Sequence, residues 1–181
     1  MRVSKEKAAQ NRERILTEAA RLFREHGLSG VGVDALTEAA GLTHGSLYSQ
    51  FGSKERLAVE ALGHALGQSS ARMNDAGTLG EYVGRYLAPA HRDQRGDGCV
   101  MAALACEIPR QGTAVRHSFT AAVRAVMNRI ASLLPGHRNP DDEALAIVAT
   151  MVGALILARA VDDPEMSNQI LAAARAKLGH S

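Results

Sequence analysis

Tryptophan is absent from these 181 residues, and phenylalanine and tyrosine occur three times each. Runs of β-branched and aromatic residues are few while alanine is plentiful, so the composition argues for an all-α protein. Cysteine occurs only twice, too rarely for a disulfide framework. With polar and charged residues at the start and no apolar leader behind them, this predicts a reducing, cytoplasmic setting. The longest apolar run, Ala144 to Ala158, is interrupted by Thr150. It falls short of the roughly 20 residues a membrane-spanning helix needs, so no membrane partner is expected. A glycine-rich phosphate loop, a nucleophile elbow and a His-Glu-x-x-His pair are also missing, which leaves no recognisable enzyme chemistry. Cys99, Cys106, His91 and His117 follow no metal-ligand spacing, and no cofactor is expected.

What charge there is nearly cancels, at a formal +2. Its placement says more than its sum. Arg2, Lys5, Lys7, Arg12 and Arg14 cluster at the start, and Lys54 and Arg56 follow a short segment free of acids. A basic face of this kind suits nucleic acid. The length allows one compact unit or two small helical ones.

The segment Val33 to Ala40 has apolar residues at helical spacing, at Val33, Leu36, Ala39 and Ala40. Gly41 suits a left-handed helix end, Leu42 plugs the angle between two helices, and Thr43 can cap the next helix. The sequence Gly-Leu-Thr-His-Gly-Ser-Leu-Tyr-Ser-Gln-Phe-Gly-Ser-Lys-Glu-Arg-Leu, Gly41 to Leu57, then predicts a short helix, a tight turn and the Ser53-capped start of a long helix. Helix, glycine, plug and short helix is the plan of a helix-turn-helix. Small polar side chains without a carboxylate let the short helix approach phosphates and base edges. His44, Gly45, Ser46 and Ser49 are the candidates for base edges, while Leu47 and Phe51 belong to the core. Upstream, Asn11 to His26 is an amphipathic helix with Ile15, Leu16, Ala19, Ala20, Leu22 and Phe23 inside, and Gly27 ends it.

About nine helices are expected in all. The long helix runs from Ser53 to about Met73, with Gly63 and Gly67 serving either close packing or a soft point. A linker covers Asn74 to Gly80. Helices follow at Leu79 to Arg92, Gly98 to Ile108, and Thr113 to Leu134. Asn139-Pro140-Asp141-Asp142-Glu143 and Asp163-Pro164-Glu165 start the last two, with a cap, a proline at the first position and acids at the positive dipole end. The helix after Asn139 is apolar nearly all round from Leu145 to Ala158. Either it is a central core helix or a second subunit covers its outer face, where Ala146, Ala149 and Gly153 allow close approach.

The Gly41–Leu57 stretch, with Arg14-Ile15-Leu16 through Leu22-Phe23 and the Gly27 stop, resembles the tetracycline-repressor (TetR/AcrR) family of bacterial regulators. The specific match covers about the first third of the chain; Gly98-Cys99 through Leu104-Ala105-Cys106-Glu107 is similar to a helix start in some subfamilies. The resemblance implies an N-terminal three-helix DNA-binding head at residues 1–56 and a helical effector-binding and dimerisation body at 57–181. It implies a phosphate contact from the Tyr48 hydroxyl and another from Lys54. The family usually has Ser or Thr capping the first helix of the pair; here Gly32 stands there without a hydroxyl, so that phosphate contact is not expected. The last two helices would form a four-helix interface in a homodimer. Regulators of this build sense a small molecule in the body, and Tyr82, Tyr86, Met101, Phe119, Val123, Met127 and Met151 are the candidate lining. The function implied is a repressor that holds a palindromic operator on double-stranded DNA and is released by a small apolar effector. A transcriptional activator, a ligand-independent DNA-binding protein, and an electrophile or oxidant sensor acting through Cys99 are the alternatives.

Overall fold

The computed structural model describes residues 5–179; Arg2 lies outside them. Ten α-helices and one 3-10 turn make up the described chain, in the all-α architecture expected. The first, α1 (Lys5–His26), begins six residues ahead of the expected start. Lys5 to Gln10 are strong helix formers, and the Gln50 side chain donates to the Ala8 carbonyl at 3.1 Å, which ties that extension down. At the other end Gly27 takes φ +79° and its N–H reaches Phe23 O at 2.9 Å. A β-carbon there would also collide with the Glu107 carboxylate, so two constraints select glycine.

Helices α2 (Val33–Ala39) and α3 (His44–Phe51) follow, joined through Gly41 at φ +63°. Ile15, Ala19, Phe23, Leu36, Leu47 and Phe51 are buried together and hold this triad. Helix α4 (Lys54–Met73) is capped by the Ser53 hydroxyl, which accepts from Arg56 N at 3.1 Å. It packs on α1 on one side and α8 on the other. The expected domain boundary at residue 56 therefore falls in the first turn of a continuous helix. A β-carbon at Gly63 or Gly67 would meet open space. Neither glycine is needed for close packing within the chain, which corrects that expectation.

The body departs from the expected boundaries where proline acts. One helix was expected over Leu79 to Arg92; α5 (Leu79–Tyr86) and α6 (Pro89–Asp93) are found. Pro89 pushes Ala88 to φ −75°, ψ 144°, out of the α region. Likewise α7 spans only Val100–Leu104 and a 3-10 turn, Ile108–Arg110, contains Pro109. The linker is shorter than expected, since α5 begins at Leu79. Arg129 donates to the carbonyls of Ala76 (2.6 Å) and Asn74 (3.2 Å), fastening α8 (Thr113–Ala131) across it.

Helices α9 (Pro140–Ala160) and α10 (Pro164–Leu178) pack against each other, with α8 on the far side of α9. Asp163 caps α10 through Glu165 N and Met166 N; Asn139 makes no such side-chain bond. Contrary to the expectation from the apolar run, α9 has 21 residues and a mean hydropathy of 1.8, enough by length and composition to cross a membrane. The helix is longer than the run because the Pro-Asp-Asp-Glu start and Arg159-Ala160 extend it at both ends. Only 39% of its apolar window is buried within the chain.

Candidate nucleic-acid interface and body cavity

Helix α3 stands on Leu47 and Phe51, both essentially inaccessible, and presents its other side to solvent. Tyr48 is 49% exposed, so it is not a core aromatic. His44 stacks on it with ring centres 5.9 Å apart and planes 4° from parallel. His44 Nδ1 lies 2.9 Å from the Asp34 carboxylate. That contact engages the acid on α2. Thr43 sits at the N-cap with extended backbone, but its hydroxyl bonds Ser46 Oγ (3.1 Å) instead of capping an amide. Ser49 Oγ donates to Ser46 O at 3.0 Å. Around Gly45 there is only open space beyond the Thr43 hydroxyl. Gly32 caps α2 with no side-chain bond, as its lack of a hydroxyl requires.

The basic residues divide into brace and free face. Arg12 donates to Gln50 O (2.8 Å), pairs with Glu60 and lies 4.3 Å over the Phe51 ring. It welds α1 and α4 to the end of α3. Lys54 Nζ donates to Leu28 O at 2.9 Å. That carbonyl takes one of the three ammonium protons. Lys5, Arg14 and Arg56 are exposed.

The body holds a cavity of about 330 Å³ between α4, α5, α6, α7 and α8. Tyr82, Tyr86 and Met101 line it as expected. Phe119, Val123 and Met127 do not: they are half-buried on α8 and pack against the core beside the buried Val115, Ala122, Val126 and Ile130. Val126 reaches the cavity in their place. Met151 is completely buried on α9, in the core and not in the cavity wall. Helical spacing marks a face as apolar but does not say which of its neighbours leaves a void.

His91 and Cys99 are the wall residues that spacing did not reveal as partners. His91 Nδ1 contacts Tyr86 O at 2.6 Å and Nε2 accepts from Cys99 N at 3.0 Å, so the proton sits on Nδ1. Burial pushes the His91 pKa below its ordinary 6.5. Burial likewise raises the Tyr82 phenol to about 12 and the Tyr86 phenol well above 10. Cys99 is buried in this wall, at the start of a five-residue helix, while Cys106 is exposed.

A contact between body and head was also missed. The Glu107 carboxylate, just after α7, accepts from Ser29 N at 3.2 Å and packs on Gly27. Val100 and Met101 at the other end of that segment line the cavity.

Residues 15–61 match the model of the tetR family of bacterial regulatory proteins. The chain is similar to the HTH-type transcriptional regulator LmrA of Bacillus subtilis, 45% identical over 53 residues, which are 29% of this chain and 28% of that protein. It is also similar to the HTH-type transcriptional repressor AcnR of Corynebacterium glutamicum, 42% identical over 52 residues, again 29% and 28% of the two chains. The matched segment thus spans under a third of these relatives. Over nearly the whole length the fold is similar to that of a TetR transcriptional regulator from Chloroflexus aurantiacus, with TM-score 0.78, 25% identity, and 97% and 95% of the two chains covered. The reduced form of E. coli NemR superposes with TM-score 0.77 at 22% identity, covering 94% and 96%.

Proposed function

We propose that this chain is a member of the tetR family of bacterial regulatory proteins, whose model its residues 15–61 match, and that it represses transcription from the cytoplasm as a homodimer on a near-palindromic operator. A small apolar molecule entering the body cavity releases it. The family's members are DNA-binding transcription regulators and not enzymes. The observation that carries the reading is α3: a short helix seated on buried Leu47 and Phe51, displaying Tyr48, His44, Ser46 and Ser49 with no acid of its own. Thr43 and Gly45 leave its first turn free to enter a major groove. Tyr48 and Lys54 bond phosphates on either side, as in the family.

The dimer reading is supported by α9 and α10. Leu145, Ala146, Ala149 and Leu157 are exposed along α9, Gly153 has open space above it, and Met166 is exposed on α10. A second copy of the same surface covers this apolar strip and places two α3 helices about 34 Å apart, one turn of DNA. Coupling runs through α7 and the turn after it: α7 lines the cavity with Val100 and Met101, and Glu107 beyond its end holds the α1–α2 turn. A ligand that prefers one position of α7 shifts the heads accordingly.

Selection of bound duplexes from a random pool tests the reading. A twofold-symmetric site supports it, and indifference to sequence at low ionic strength overturns it. On the recovered site, Lys54→Ala should weaken binding and lower the salt slope by about one. An unchanged slope removes the phosphate role of Lys54.

A further inference from the structure

The Tyr86 hydroxyl has no hydrogen-bond partner, although the residue lines the body cavity and is 5% exposed. A buried hydroxyl left unpaired is costly and rare in native proteins. The neighbouring groups are already committed. His91 packs edge-on against the Tyr86 ring at 4.8 Å and 77°, with both nitrogens engaged by Tyr86 O and Cys99 N. The Cys99 thiol lies close enough to influence the phenol, yet the geometry makes no hydrogen bond. Burial keeps the phenol protonated. The hydroxyl is therefore a donor closed off just behind the wall, beside only the weak sulfur acceptor of Cys99.

The charges of the wall are paired off and give no net attraction to an ion. Arg72 donates to the Asp97 carboxylate at 3.1 Å and to its carbonyl at 2.6 Å. Arg85 pairs with Asp75, and His91 is held neutral. An anion would meet arginines already neutralised by Asp97 and Asp75, and a cation would find no free carboxylate. Leu66, Met73, Val100, Met101 and Val126 give the wall most of its apolar surface, while Ser69, Ser70, Gln94 and Tyr82 add neutral polar groups. The methionines can shift to let a polar atom reach the hydroxyl. A volume of about 330 Å³ sits at the small end of ligand sites, enough for one or two rings.

Taking this cavity as the effector site, we propose that its ligand is a neutral apolar molecule with one hydrogen-bond-accepting carbonyl oxygen, which receives the Tyr86 hydroxyl proton in a hydrogen bond. The acceptor is a ketone, ester or amide on a ring-sized hydrocarbon body.

Calorimetric titration of the full chain with 2-acetylnaphthalene, 2-ethylnaphthalene and 2-naphthoate tests this. The ketone should bind about tenfold or more tighter than the hydrocarbon, as a buried hydrogen bond to an otherwise unpaired group implies. The carboxylate should be weakest. Tyr86→Phe should erase the preference for the ketone, leave 2-ethylnaphthalene binding within about twofold, and melt no lower than the parent without ligand, since it removes only an orphaned hydroxyl. Equal affinity for ketone and hydrocarbon, tightest binding of the carboxylate, or no binding of the ketone overturns the assignment. The parent series decides this even where the variant misfolds. Release from the selected operator is a separate readout. Ketone binding without release sinks the effector reading and leaves the ligand chemistry standing; release by hydrocarbon and ketone alike does the reverse.

Discussion

Replacing Leu157 with glutamate should separate the proposed dimer without disturbing the protomer. The side chain is 57% exposed on α9, so its apolar surface has little to lose inside one chain. Full burial of a leucine is worth about 1.5–3 kcal/mol. Covering the exposed part therefore contributes about 1–1.5 kcal/mol per copy, and twofold symmetry doubles this to about 2–3 kcal/mol. Leu157→Ala should thus raise the dimer dissociation constant by roughly 30- to 150-fold. Leu157→Glu adds two like-charged carboxylates brought near each other in an apolar interface, a cost of several kcal/mol more. The total is a loss of about 10³-fold or greater. Sedimentation velocity across nanomolar to micromolar concentration reads the effect, and circular dichroism melting checks that the protomer is intact. Operator affinity should fall with the dimer. A variant that sediments like the parent down to nanomolar concentration refutes the assignment of this face. So would a protomer that unfolds on substitution, because Leu157 would then be serving its own chain.

Other outcomes follow from the packing. Phe23 on α1 is buried in the core at 2% exposure, and Phe23→Ala should cost about 3–5 kcal/mol in urea denaturation. Gly63→Ala should stabilise by about 0.5–1 kcal/mol, because a β-carbon there meets nothing and the helix gains propensity; a lower melting temperature would reveal a packing role. The His91 pKa lies below its ordinary 6.5 in the native state, so the unfolded chain takes up that proton first as pH falls. The contribution of neutral His91 is whole above about 6.5 and is lost progressively below it, down through the native pKa. Melting temperature should drop over that window, and His91→Gln should flatten the drop.

Local order was legible along the chain because it is encoded locally. Ser53 and Asp163 announce helix starts by residue type, and both accept backbone amides as their chemistry demands. Gly27 and Gly41 take the positive φ that only glycine adopts freely. The helix-turn-helix was legible for the same reason: plug, turn and core residues sit within one short stretch, and Leu47 and Phe51 are buried where their spacing put them. Pro89 was equally legible as a helix break, since proline acts on its immediate neighbour, yet the apolar periodicity across it suggested one helix.

The cavity was not legible. Tyr82, Tyr86 and Met101 line it while Phe119, Val123, Met127 and Met151 do not, and no periodicity separates the two sets. A void is left where several helices fail to meet, so it depends on the angles and offsets of α4 to α8 together. The Glu107 contact with Ser29 spans 78 positions, and the paired engagement of His91 exists only once Tyr86 and Cys99 are brought round it. Residue type and spacing decided which segments coil and which ends stop them. Tertiary packing alone decided which buried hydroxyl stays without a partner, because hydrogen-bond satisfaction belongs to neighbours in space and not to neighbours in the chain.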